Sequence, residues 1–114
     1  MTALVPTTIA KTGTVPAFAN VAATDTIDVN LLGGRPAILH VKNTTGSPVN
    51  VTVQDNGKTP GGSTGSNPAV SIPATTGDKE ILVLPDFADL ATGIITITNS
   101  ASGAGIQSWL KKLP

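Results

Sequence analysis

Apolar and polar residues alternate along most of the hydrophobic segments of this chain. In the stretch AILHVKN, Ala37, Leu39 and Val41 fall on one side and Ile38, His40 and Lys42 on the other; Val49, Val51 and Val53 repeat the pattern against Asn50, Thr52 and Gln54. The intervening NTTGSP offers Gly46 for a positive φ and Pro48 to restart an extended chain, which predicts a hairpin over Ile38 to Gln54. One apolar and one polar face per strand suits an antiparallel sheet covered on one side.

Further strands are predicted near Ile27, in AVSIP, in KEILVLP with apolar groups on both faces, from Ile94 to Asn99 in GIITITNS, and from Ile106 to Leu110. Residues 1–23 show no helical spacing and carry Pro6 and Pro16. They read as an extended arm with short strands around Thr8 to Thr12 and Val15 to Val21. NGKTPGGSTGSNP, from Asn56 to Pro68, lacks apolar residues and reads as a long loop that tolerates changes of length. The fold class expected is all-β: a single antiparallel β-sandwich or jelly-roll-like barrel of about seven or eight strands over residues 24–114, preceded by the arm.

Composition sharpens this picture. The chain has 114 residues, enough for one domain, and only 3% are aromatic, so the core must be built from Val, Ile, Leu and Ala. Charged residues make up 12%, about half the usual share. Seven Lys plus Arg balance seven Asp plus Glu. A near-neutral β protein tends to associate, which favours a subunit of an assembly and a homo-oligomer. Zero net charge argues against nucleic acid and against an anionic membrane as partners. There is no cysteine for a disulfide or a thiolate metal site. The opening MTALVPTTIAKTG has neither the basic start nor the apolar run of a signal peptide, so synthesis in a cytoplasm is expected.

Candidate chemistry is sparse. Gly57-Lys58-Thr59 ends like a phosphate-binding loop, but Thr52 stands where the first glycine is needed, and Pro60-Gly61-Gly62 follows where a helix must begin. His40 is the only histidine and has no carboxylate near it in sequence, so it reads as a surface or interface residue on the polar face of a strand. The acidic pairs Asp25/Asp28, Asp78/Glu80 and Asp86/Asp89 each adjoin a turn, where aspartate serves local hydrogen bonds. Asn43-Thr44-Thr45 and Asn50-Val51-Thr52 match the glycosylation pattern by chance in a Thr-rich chain. No serine sits in a nucleophile-elbow setting. The expectation is a protein that is not an enzyme and holds neither cofactor nor metal. Trp109, the only tryptophan, either closes the core or anchors a partner.

Three segments, VPTTIAKTGTVPAFANVAA, GGRPAILHVKNTTGSPVNVTV and LPDFADLATGIITITNS, resemble a family of small tailed-bacteriophage head proteins, with LHVKN and the strand after it the most specific part. They cover most of the chain. The resemblance implies a decoration or cement protein, made in the host cytoplasm, that sits on the outer surface of the capsid in the virion and binds the major capsid protein. A trimer is the commoner arrangement in such proteins. The chain departs from the pattern in its Gly/Ser-rich loop at Gly57 to Pro68 and in its WLKKLP ending. Thr7, Thr8, Ile9, Lys11 and Thr12 of the arm, with Trp109, are the candidate contacts, because an extended arm can add to a neighbour's sheet edge. The alternative is a carbohydrate-binding or adhesin-like β-sandwich module of a phage tail or fibre, for which the chain offers few aromatic platforms.

Overall fold

The computed structural model of the chain describes residues 2–16, 18–55, 69–89 and 91–112. They form ten strands: β1 (Thr2–Leu4), β2 (Thr7–Thr8), β3 (Ala19–Val21), β4 (Thr24–Asp28), β5 (Ala37–Asn43), β6 (Val49–Val53), β7 (Val70–Ile72), β8 (Gly77–Val83), β9 (Ile94–Asn99) and β10 (Gly103–Lys112). The only helices among these residues are short 3-10 turns, Val29–Leu32 and Pro85–Phe87. The first sheet runs β1-β4-β9-β6-β7 and the second β2-β10-β5-β8, with β3 also paired to β10. The protein is an all-β sandwich, as the alternation predicts. The Asn56 to Pro68 loop, including Gly57-Lys58-Thr59, lies outside the described residues.

The core fills the gap between the sheets. Leu39 and Val41 of β5, with Ile106 and Leu110 of β10, face Ile27 of β4, Val51 of β6 and Ile95 and Ile97 of β9, all buried. With so few aromatics, aliphatic side chains carry this burial, each contributing about 1.5–3 kcal/mol when fully enclosed. The strand from Ile94 to Asn99 is flanked by β4 and β6, so both its edges are paired and its β-prone sequence is not left open.

The predicted hairpin is not one. β5 and β6 lie in different sheets, and the chain between them arches across the edge of the sandwich. Odd-numbered residues point inward in both arrangements, so Leu39 and Val51 meet in the core as expected, from opposite sides. Asn43, fully buried at the end of β5, holds the arch. Its Nδ2 donates to the carbonyls of Ser47 at 2.9 Å and Ile72 at 3.3 Å, and its Oδ1 accepts from the N–H of Thr45 at 2.9 Å and from its hydroxyl at 2.6 Å. These bonds satisfy the corner where ladder pairing stops. A residue so enclosed has no surface for a glycan.

The arm matches expectation in part. β3 (Ala19–Val21) lies within the expected Val15 to Val21 strand, whereas the other strands are β1 and β2, at Thr2–Leu4 and Thr7–Thr8, rather than Thr8 to Thr12. β1 runs parallel to β4 with Leu4 opposite Ile27, and β2 runs parallel to β10 with Thr7 opposite Lys111. These two pairs are parallel; the other pairings are antiparallel. Val5 and Pro6 cross from one sheet to the other, so the arm staples both sheet edges on one side of the sandwich. Backbone groups expected to be free for a neighbour are therefore partly used within the chain.

β8 ends the second sheet, with one edge unpaired among the described residues. Lys79, at an inward-parity position opposite Val41, is exposed, and a charge so placed discourages another strand from docking there.

Candidate functional site

Strand alternation and the β10-β5-β8 register build the outward face of the second sheet. Three rows cross it: Gln107, Lys42 and Asp78; Trp109, His40 and Glu80; Lys111, Ile38 and Leu82. Phe18, just before β3, packs over the middle of this face. Its ring meets His40 edge-on at 5.0 Å between centroids and Trp109 at 5.8 Å, and the Lys42 ammonium stands 4.5 Å from its centre. The Lys111 ammonium lies 5.0 Å from the Trp109 ring.

Trp109 is thus buried, at 7% exposure, but in a small cluster outside the main core. The surface role considered for it is not the position it occupies. Ile106, Ser108 and Leu110 take the inward positions of β10, which leaves the tryptophan on the outer face, where Phe18 covers it.

His40 acquires the carboxylates that its local sequence lacks. Its Nε2 bonds to Asp78, its Nδ1 lies 3.7 Å from a Glu80 oxygen, and the same oxygen accepts from Lys111 Nζ at 2.6 Å. The Lys111 hydrogen bond and charge hold the Glu80 carboxyl below its ordinary range. The network ties β5, β8 and β10 together at their outer surface. Because both carboxylates are half-exposed, solvent screens these pairs and they add little to stability. Asp78 and Glu80 are two apart on a strand and so share a face, the one signal in the sequence that pointed to this partnership.

The other acidic pairs are local. Asp28 accepts from the Asn30 N–H to cap the Val29–Leu32 turn, and Asp89 accepts from Ala91 N. Asp25 is buried beside Asn99, which donates to it at 3.1 Å, while Ala22 N donates at 3.4 Å. Burial pushes its carboxyl up, against the opposing pull of these two bonds. Among the described residues no group of three or more His, Asp or Glu could hold a metal ion.

Of the candidate contacts in the arm, Thr7 and Ile9 are half-buried, and Thr8, Lys11 and Thr12 are exposed. Ile9 lines an apolar groove of about 300 Å³ with Pro36, Ile38, Lys111 and Lys112. Thr7 and Trp109 line a second cavity of about 260 Å³ beneath the crossing of the arm. Lys11 and Thr12 sit apart, at a turn closed by the Ala10 N–H to Thr14 Oγ1 bond of 2.8 Å. Val5 and Val15, which the sequence reading did not single out, are the most exposed large apolar side chains among the described residues, at 72% and 84%. No protein-family model, curated protein or solved structure matches the chain.

Proposed function

We propose that the protein is a non-enzymatic virion component that binds the assembled capsid of a tailed phage from outside and stabilises it. The major capsid protein is its partner, and the protein acts as a homo-oligomer, with a trimer the arrangement favoured. The observation that carries this reading is the arm: on a chain with few charges and no net charge, it displays Val5 and Val15 to solvent while its backbone is anchored to both sheets. Exposed apolar groups on a firmly held segment suit a surface that a partner covers. The resemblance of the quoted segments to phage head proteins supplies the identity of that partner.

The mechanism is binding without turnover. Thr7, Thr8, Ile9, Lys11 and Thr12 of the arm make the contact in this reading, while Trp109, covered by Phe18, supports the face from beneath without touching the partner. β1 and β2 are terminal strands of their sheets, so each keeps an outer edge to which a capsid segment can add. Many modest contacts, repeated over a symmetric shell, give attachment by avidity. A ligand that binds the lattice and not the free subunit stabilises the lattice by mass action.

The test is co-sedimentation of the purified protein with undecorated capsids and with unassembled capsid protein. Saturable binding to the former alone is expected, with Val5→Glu and Val15→Glu folding normally and binding more weakly. Absence of binding to any capsid refutes the reading. Full binding by both variants removes the arm from it.

A further inference from the structure

The arm is joined to its own sandwich by a linker that does not pack against it. After Ile9, whose N–H donates to the Lys112 carbonyl, residues 10–16 are exposed except for the half-buried Thr14. Two hydrogen bonds shape this linker, from the Gly13 N–H to the Ala10 carbonyl at 3.1 Å and from the Ala10 N–H to Thr14 Oγ1 at 2.8 Å, and both are internal to it. They fold the chain back at Gly13, whose φ of 103° suits glycine and strains any other side chain. Beyond the linker, Phe18 is fixed on the outer face of the second sheet by His40, Trp109 and Lys42. One turn therefore decides where residues 2–9 go.

What holds residues 2–9 is not specific to the chain that carries them. β1 pairs along β4 and β2 along β10 through backbone ladders in a fixed register, and every copy of the protein offers the same two edges. Opened at Gly13, residues 10–16 span up to about 24 Å at roughly 3.4 Å per residue, enough to reach an adjoining sandwich. The arm then regains on the second copy the pairing it gives up on the first. Lys11 is the only charged residue before Asp25, so two copies meet here with little repulsion. Val15, the most exposed large apolar side chain among the described residues, lies in the linker, where only a neighbouring molecule would cover it.

We propose that copies of this protein exchange their arms, residues 2–9 of one chain lying on β4 and β10 of another and joined to their own body by the opened linker. Exchange of an identical element is a low-cost route to an oligomer, because the contacts differ from those within one chain only at the hinge. The inference needs only a second copy of the chain, and its failure would leave the capsid reading standing.

The chain has no cysteine, so introduced thiols report alone. Ala3 lies opposite Thr26 across β1 and β4, where neighbouring strands about 4.8 Å apart are within disulfide reach. Ala3→Cys and Thr26→Cys are placed on separate full-length chains carrying different tags, which are unfolded together, refolded as a mixture and oxidised. A disulfide joining the two variants should form in excess over the two like-with-like disulfides and should increase with protein concentration, as mass action requires. Gly13→Val, strained in the closed turn and relaxed in the opened one, should raise that excess by about tenfold. A chain carrying both Ala3→Cys and Thr26→Cys shows, by forming its disulfide, that the arm still docks when Gly13→Val is added; if it does not dock, the comparison with the native linker decides alone. Overturning results are a mixed disulfide no more frequent than the like-with-like ones at every concentration, or a Gly13→Val chain that docks its arm and leaves the mixed disulfide unchanged.

Discussion

Replacing Asn43 by leucine tests whether the chain between β5 and β6 is an arch held by one buried amide. The substitution keeps the approximate shape and removes four hydrogen bonds, two donated by Nδ2 and two accepted by Oδ1. Thr45 and Ser47 lie near solvent, so water can replace much of what they lose, at a net cost of about 0.5–1.5 kcal/mol per bond or less. The Ile72 carbonyl lies in the buried part of the site, and leaving it unpaired costs about 1–3 kcal/mol. That bond is long at 3.3 Å, and leucine adds some apolar burial, so the net loss expected is about 2–4 kcal/mol. Urea unfolding followed by Trp109 fluorescence measures it. Thr44→Ala, which removes one exposed hydroxyl bond to the Gly105 carbonyl, is the control and should cost less than about 1 kcal/mol. A loss below roughly 0.5 kcal/mol for Asn43→Leu would refute the reasoning, since the unpaired Ile72 carbonyl alone exceeds it.

Other substitutions probe the core, a turn and a buried charge. Leu39→Ala should cost about 2–5 kcal/mol in the same assay, and a loss under roughly half a kcal/mol would mean that its face is not enclosed. Gly77→Ala would place a Cβ 2.1 Å from the Pro73 carbonyl oxygen and 2.8 Å from an Ile72 methyl group, so the backbone must move; a loss of about 1–3 kcal/mol is expected, and a neutral result would contradict this packing. For Asp25, burial raises the folded-state pKa above the unfolded value, so its contribution is full below the unfolded pKa and is lost as pH rises through the folded one. The stability of the native protein relative to Asp25→Asn should therefore fall between acid and neutral pH, and a flat or rising difference would show that burial does not dominate. Glu80, held low by Lys111, acts in the opposite sense, its contribution disappearing as pH falls, and this is present in both proteins.

Much of the sandwich was legible because a half-buried strand writes its inward face into alternate positions. Leu39, Val51, Ile95 and Ile97 could be assigned to the core from that pattern alone. The same pattern could not say which sheet a strand joins, because Leu39 and Val51 point inward whether β5 and β6 pair as a hairpin or face each other across an arch. The distinguishing signal is Asn43, a polar residue at an inward position beside the turn. The network of His40 with Asp78 and Glu80 was hidden for a different reason: the two carboxylates lie 38 and 40 positions from His40 and are brought to it by the β5–β8 register, which nothing local encodes. Trp109 was half-legible, since alternation through Ile106, Ser108 and Leu110 puts it outside the core, but only the fold shows Phe18 returning to cover it. The parallel pairings of the arm left no trace in its Thr/Ala-rich sequence, because such strands are too short to carry a period.

Under the proposed function the chain is a component of a tailed-phage virion, and cryo-electron microscopy of purified virions of that phage tests the decoration proposal most directly. The account predicts ordered density on the outer surface of the shell into which the ten-stranded sandwich fits, with Val5, Val15 and the Thr7 to Thr12 stretch turned toward the major capsid protein. A virion lacking the protein on its head, or carrying it with the arm directed into solvent, would contradict it.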